Sequence, residues 1–195
     1  MELISNITGV ILAGGKSSRM KRDKALLKFH DKPFIQLISE TLHKVFEDVI
    51  IISDHVEQYK FLYLPIYQDV YKDCGPLAGI HSAFVHTQSN GIFISSVDLP
   101  LIDVSAIQYI LNQKCNADAI LFSLDGQIQP LFGLYYRACL LKIENQLKQK
   151  RYSVVEFLDK INTNIILLNS KQINISSKIL QNINSPEDYQ SLLKK

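Results

Sequence analysis

The chain has 195 residues, a formal net charge of +2 and 47% apolar content, which suits one domain with a sizeable core and leaves too little for a second. So small a net charge excludes a wholesale nucleic-acid or membrane surface, and no apolar run reaches the length of a membrane span. Cys74, Cys115 and Cys139 are odd in number, widely spaced and without a C-x-x-C pair, which excludes a zinc knuckle and argues against a disulfide framework. The first apolar stretch carries Glu2 and Asn6 and no basic leader, so a signal peptide is not expected and the chain reads as cytoplasmic.

In chain order, the β-branched run Ile7–Leu12 predicts a buried strand that empties into a Gly-rich turn. Residues 33–46 predict a helix, with Ile35, Ile38, Leu42 and Val45 at three- and four-residue steps behind a first-turn proline. A strand follows at Val49–Ile52, a helix at Pro76–Val85, a strand at 91–95, a helix at 104–113 and a strand at 119–123. Helices are predicted at 137–149 and 154–161, and a further strand at 165–168. This alternation predicts an α/β fold: a single Rossmann-like three-layer domain over residues 1–195 with a mostly parallel central sheet. Ligands of such sheets bind outside the carboxyl ends of the strands, where Leu12, Ala13, Gly14, Gly15, Ser53, Asp54 and Asp98 emerge. There is no internal repeat, and the Asn/Ser/Lys-rich stretch 162–185 is read as compositional bias.

The turn after the first strand is the most informative segment. Leu12-Ala13-Gly14-Gly15-Lys16-Ser17-Ser18-Arg19-Met20-Lys21-Arg22-Asp23-Lys24 combines glycines, hydroxyls and cations, and such turns converge amides and charge on a polyphosphate. It lacks the Gly-Lys-Ser/Thr ending of a Walker A loop and the third glycine of a dinucleotide fingerprint. Lys24, nine residues beyond Gly15, is far enough along to return a cation to a wrapped triphosphate. Downstream, Ser95-Ser96-Val97-Asp98-Leu99-Pro100 places a carboxylate at a strand exit, suited either to Mg²⁺, which takes one or two carboxylates plus substrate phosphates, or to capping the next turn. Asp69 precedes Gly75-Pro76-Leu77-Ala78-Gly79, a tight turn into a helix whose first turns are small enough for a base or ribose to approach. The five histidines have no metal-ligand spacing, and no residue pattern calls for covalent catalysis.

The arrangement L-A-G-G-x-S-x-R-M-x-x-D-K-A-L-L resembles the opening signature of the MobA-like nucleotidyltransferases, and within them the molybdenum cofactor guanylyltransferases. The likeness continues through Asp69 and Gly75 to Gly79, through Gln129-Pro130-Leu131 in a later strand, and through Asn182-Ile183-Asn184-Ser185-Pro186-Glu187-Asp188, which also reads as an N-capped helix start. It departs at Lys21, where the family has Gly, and at Ser53, where the family has Asn.

The resemblance implies a fold of the nucleotide-diphospho-sugar transferase type. It also implies Arg19, Lys24 and Asp98 as catalytic residues, with Asp98 the Mg²⁺ ligand. The GTP site would comprise Leu12, Ala13, Gly14, Gly15, Lys24, Ser53, Asp69 and Asp98. The implied reaction is attack of the terminal phosphate of molybdopterin cofactor on the α-phosphorus of Mg-GTP, with loss of pyrophosphate and with transient contact to cofactor-biosynthesis or molybdoenzyme proteins. Lys142, Lys148 and Lys150 are candidates for gripping the pterin phosphate. Two other readings stay open: a related nucleotidyltransferase for CTP or a sugar phosphate, and a non-catalytic nucleotide or cofactor carrier.

Overall fold

Strand β1 (Ile7–Leu12) is buried at all six residues because it is packed on both faces of a sheet. Ile7 and Ile11 point into one hydrophobic layer, while Val10 and Leu12 point into the other, as period-two alternation requires. A computed structural model describes residues 3–14, 23–168 and 175–194. In it β1 pairs in parallel with β4 (Val49–Ile52) on one side and β6 (Gly91–Ser96) on the other. Leu12 lies opposite both Ile52 and Ser96, so the three strands end level.

Between β1 and β4 the chain forms a small hairpin, β2 (Lys28–Phe29) with β3 (Lys32–Pro33), and helix α1 (Phe34–Leu42). After β4 come the single turn α2 (Val56–Tyr59) and the short outer strand β5 (Ile66–Tyr67), parallel to β4. Helix α3 (Pro76–Val85) then crosses to β6. The second half supplies α4 (Val104–Leu111), β7 (Ala119–Leu124), β8 (Gln127–Tyr136), α5 (Cys139–Lys148), α6 (Val154–Leu158), β9 (Thr163–Leu167) and α7 (Pro186–Leu193). The seven strands of the main sheet are ordered β5-β4-β1-β6-β8-β7-β9.

Strand β8 runs antiparallel to both β6 and β7, and the other pairings in this sheet are parallel. The predicted mostly parallel three-layer α/β arrangement is therefore what forms. Helices α1 and α4 cover one face, over Phe46, Phe93, Phe122 and Phe132; α3, α5 and α6 cover the other. A third, smaller cluster of Leu27, Phe34, Ile183 and Leu192 docks the C-terminal segment beside α1.

Several boundaries are shorter than predicted. Helix α1 stops at Leu42 rather than at residue 46, since the chain turns there and the Val45 carbonyl accepts from the Ile4 amide. Helix α5 begins at Cys139 rather than 137; before it the Arg137 amide donates to the Asn90 carbonyl, and the Arg137 guanidinium is spent on the end of α3. Its Nε donates to the Ser89 carbonyl at 2.7 Å, Nη1 to Phe84 at 3.1 Å and Nη2 to Thr87 at 2.7 Å, a fitting use of a planar cation at a helix carboxyl end.

The β7–β8 register shifts between Leu121, opposite Gly133, and Ser123, opposite Ile128. The extra β8 residues, including Gln129 to Leu131, bulge out, and the Tyr135 hydroxyl donates to the Pro130 carbonyl at 2.6 Å. Gly133 makes this fit possible: a Cβ there would sit 2.3 Å from Leu121 Cδ2 and 2.6 Å from the Ile120 carbonyl oxygen. The side chain could yield but the backbone oxygen could not. Gly133→Ala is expected to cost about 1–3 kcal/mol by overpacking and to lower the melting temperature measured by circular dichroism by several degrees; an unchanged melt would contradict the bulge as described.

Candidate nucleotide site

The chain leaves β1 for β4 on one side and returns to β6 on the other, so the order reverses between β1 and β6. At such a reversal the two connections diverge and leave a crevice at the strands' carboxyl ends. The residues that reach it are Gly14 after β1, Ser53 after β4, Asp69 after β5, Asp98 after β6 and the first turn of α3.

The stem of the Gly-rich turn is fixed by three bonds. The Ala13 amide donates to the Ile52 carbonyl at 3.0 Å, the Val97 amide to the Leu12 carbonyl at 3.3 Å, and the Ser53 hydroxyl to the Ala13 carbonyl at 2.7 Å. These backbone groups are thus engaged within the fold, and Leu12 and Ala13 give the crevice its shape. Gly14 faces open space, with no described atom within 4 Å of where a Cβ would stand. Ser53 is buried, and its hydroxyl also accepts from the His55 amide at 3.1 Å. Its side chain anchors the turn. Gly15, Arg19 and the departure at Lys21 lie outside the described residues.

Beyond the turn, Asp23 caps one 3-10 turn, Lys24–Leu26, by accepting from the Ala25 amide at 3.0 Å. Lys24 opens this turn, and its Nζ donates to Asn184 Oδ1 at 2.7 Å. Next to Asn184, the Ile183 amide donates to the Asp98 carbonyl at 2.9 Å. The C-terminal segment therefore brings Lys24 and Asp98 to one place. It is held there by Ile183 and Leu192 packed with Leu27 and Phe34, and by the Tyr189 hydroxyl on the Lys28 carbonyl at 2.8 Å. Asp188 accepts from the Asn184 and Ser185 amides at 2.9 and 2.8 Å and closes a capping box. These bonds, first that of Asn184, together with the nearby Lys24 charge hold its carboxyl below the usual range. The segment does start a helix, as its sequence reads, and it also closes the site.

Asp98 is half-buried and accepts a hydrogen bond from the Ser96 hydroxyl, which orients the carboxylate without tying it to the backbone of the next turn. One such oxygen ligand fits a cation that completes its shell with phosphates and water. Among the described residues no group of three or more His, Cys, Asp or Glu could hold a metal alone.

Asp69 is buried on one side. Its Oδ1 has no hydrogen-bond partner, and burial first, then the charge of Asp54, push its carboxyl upward. Gly79 of α3 faces it: a Cβ there would stand 3.1 Å from Leu12 Cδ2 and 3.7 Å from Asp69 Oδ1. Helix α3 enters through Gly75, at φ +70°, with Pro76 in its first turn, whose fixed φ suits a helix start. Lys142 and Lys148 are paired with Asp118 at 2.8 Å and Glu144 at 2.7 Å, on the α5 side of the sheet. Burial, above all, pushes the Cys139 thiol up to about 12, which makes it inert.

The sequence reading passed over two groups, Asn184 as a partner of Lys24 and Tyr59, whose hydroxyl donates to Asp23 Oδ2 at 2.6 Å. The N-x-N-S-P-E-D element carried a signal for the first. For the second there was none, since a lone Tyr in a short turn resembles any packing residue.

Residues 9–161 match the family model for the MobA-like NTP transferase domain. Over 192 residues the chain is 31% identical to a probable molybdenum cofactor guanylyltransferase of Carboxydothermus hydrogenoformans, covering 98% of this chain and 97% of that protein. A protein of the same description from Clostridium perfringens is 33% identical over 96% of each chain. Among solved structures, a molybdopterin-guanine dinucleotide biosynthesis protein A from Archaeoglobus fulgidus superposes with a TM-score of 0.82 at 19% identity, covering 96% of this chain and 97% of that one. That likeness is one of fold. With the motif, the crevice and these relatives in agreement, the chain belongs to the MobA-like NTP transferase family.

Proposed function

We propose that this nucleotidyltransferase moves GMP from GTP to the terminal phosphate of molybdopterin cofactor and releases pyrophosphate. The observation that carries the reading is the meeting of Lys24 and Asp98 through Asn184 and Ile183 at the carboxyl ends of the strands. A cation donor and a hard oxygen ligand brought to one end of the sheet by the same segment suit a triphosphate with its Mg²⁺, whereas a pure carrier has no need of the carboxylate. The near-full-length relatives described as probable molybdenum cofactor guanylyltransferases support this reading.

In this reaction an anionic phosphate oxygen bonds to the α-phosphorus while the bond to the β-phosphate oxygen breaks. The nucleophile is already charged, so the protein's part is alignment and charge neutralisation. Mg²⁺ bound at Asp98 would neutralise and orient the phosphate oxygens. Lys24, freed from Asn184 by the incoming phosphate, and Arg19 would bear on the negative charge. Gly14 and Gly15 would let the phosphates approach the backbone, and Asp69 beside Gly79 would meet a donor of the nucleoside. Ser53 would contribute by holding Ala13. The cysteines are free thiols, and no described helix is long and apolar enough to cross a membrane.

Lys24→Ala is expected to lose on the order of 3 to 4 kcal/mol of transition-state stabilisation, several hundred-fold in rate, in a pyrophosphate-release assay with GTP and molybdopterin. Turnover near that of the unaltered protein would remove Lys24 from the site. Asp98→Asn keeps the shape and the Ser96 hydrogen bond but removes the charge. It should abolish most Mg²⁺-dependent turnover with a melting temperature within a few degrees of the parent, whereas full activity would leave Asp98 with a local structural role alone.

A further inference from the structure

Asp23 and Lys24 are adjacent in the chain and opposite in charge. A carboxylate bound to the Lys24 ammonium would compete with the phosphate that the proposed reaction needs there. The structure shows another arrangement. Asp23 Oδ1 accepts from the Ala25 amide, Oδ2 accepts from the Tyr59 hydroxyl, and Lys24 Nζ donates to the neutral amide of Asn184. Both carboxylate oxygens are thus engaged away from the lysine.

Tyr59 is suited to this task. It is 1% exposed, and a buried phenol has to find an acceptor. Burial, and then the Asp23 carboxylate, hold the phenol well above its ordinary range, so it remains a donor. It sits at the end of α2, just beyond β4, the strand whose exit residue Ser53 anchors the other stem of the turn.

We propose that Tyr59 is a positioning residue that keeps the Asp23 carboxylate turned away from Lys24, so that the ammonium is available to a triphosphate. The inference deepens the nucleotidyltransferase reading and rests on it. Removing the phenol oxygen leaves Oδ2 without a partner in partly buried surroundings, and the neighbouring ammonium is the cation it can turn to. The loss then falls on nucleotide binding more than on chemistry, and neutralising Asp23 relieves it.

The test is a double-mutant cycle read by calorimetric titration with Mg-GTP and by steady-state kinetics. Tyr59→Phe is expected to weaken Mg-GTP binding and raise KM by roughly tenfold, with kcat within about threefold. Adding Asp23→Asn should then restore binding, with Tyr59→Phe/Asp23→Asn within about twofold of Asp23→Asn alone. A tenfold loss from Tyr59→Phe in both backgrounds would show that the phenol acts by packing or by another partner, and would overturn the inference; so would a Tyr59→Phe protein that binds like the parent. Should Tyr59→Phe alone fail to fold, the comparison of the two Asp23→Asn proteins decides in the same way. An unaltered protein that binds no Mg-GTP would sink the nucleotidyltransferase reading and this inference with it, whereas normal binding by the unaltered protein with no effect in the cycle sinks the inference alone.

Discussion

The site depends on the way both stems of the Gly-rich turn are tied to the segment that follows β4. On the β1 side the Ser53 hydroxyl holds the Ala13 carbonyl, and on the return side the Tyr59 hydroxyl holds Asp23. A neutral hydrogen bond contributes about 1 kcal/mol net and one to a charged group about 1.5–3, small sums beside the core. Their importance is geometric. A loop that wraps a polyphosphate gains from fixed ends, since ordering it on binding would otherwise oppose affinity.

The C-terminal segment supplies a second constraint. It reaches back across the sheet, packs Ile183 and Leu192 beside Phe34, and hydrogen-bonds to both Lys24 and Asp98. Apolar burial and a helix cap therefore set the distance between two polar groups on different elements. Changes in α7 are expected to be felt at the candidate site through this docking, which ties a helix-start motif to Lys24 and Asp98.

Much of the fold was legible because its strands are buried on both faces. Ile7–Leu12 and Val49–Ile52 are short apolar runs bounded by polar residues, and they form strands with those limits. The hairpin at 28–33 was not legible: His30 and Asp31 both take positive φ, at 48° and 62°, without the glycine that usually signals such a turn. The hairpin of β7 and β8 could have been read, since Asp125 and Gly126 have φ of 50° and 79° and Asp-Gly is the expected pair. Strand β5, two residues long, is too short to show a period. In the site, Lys24 and Asp98 stood out by local pattern. Their meeting did not, because it runs through Asn184, 160 residues from Lys24. Ser53, which the resemblance places in the GTP site, emerges at the right strand end, and its buried hydroxyl donates to the Ala13 carbonyl.

The claim that this crevice holds a magnesium-bound guanine nucleotide is tested most directly by calorimetric titration of the purified protein with GTP, CTP, ATP and UTP, each with and without Mg²⁺. The account predicts selective binding of GTP that tightens when Mg²⁺ is present. A preference for CTP, equal binding of all four nucleotides, or no binding of any would contradict it.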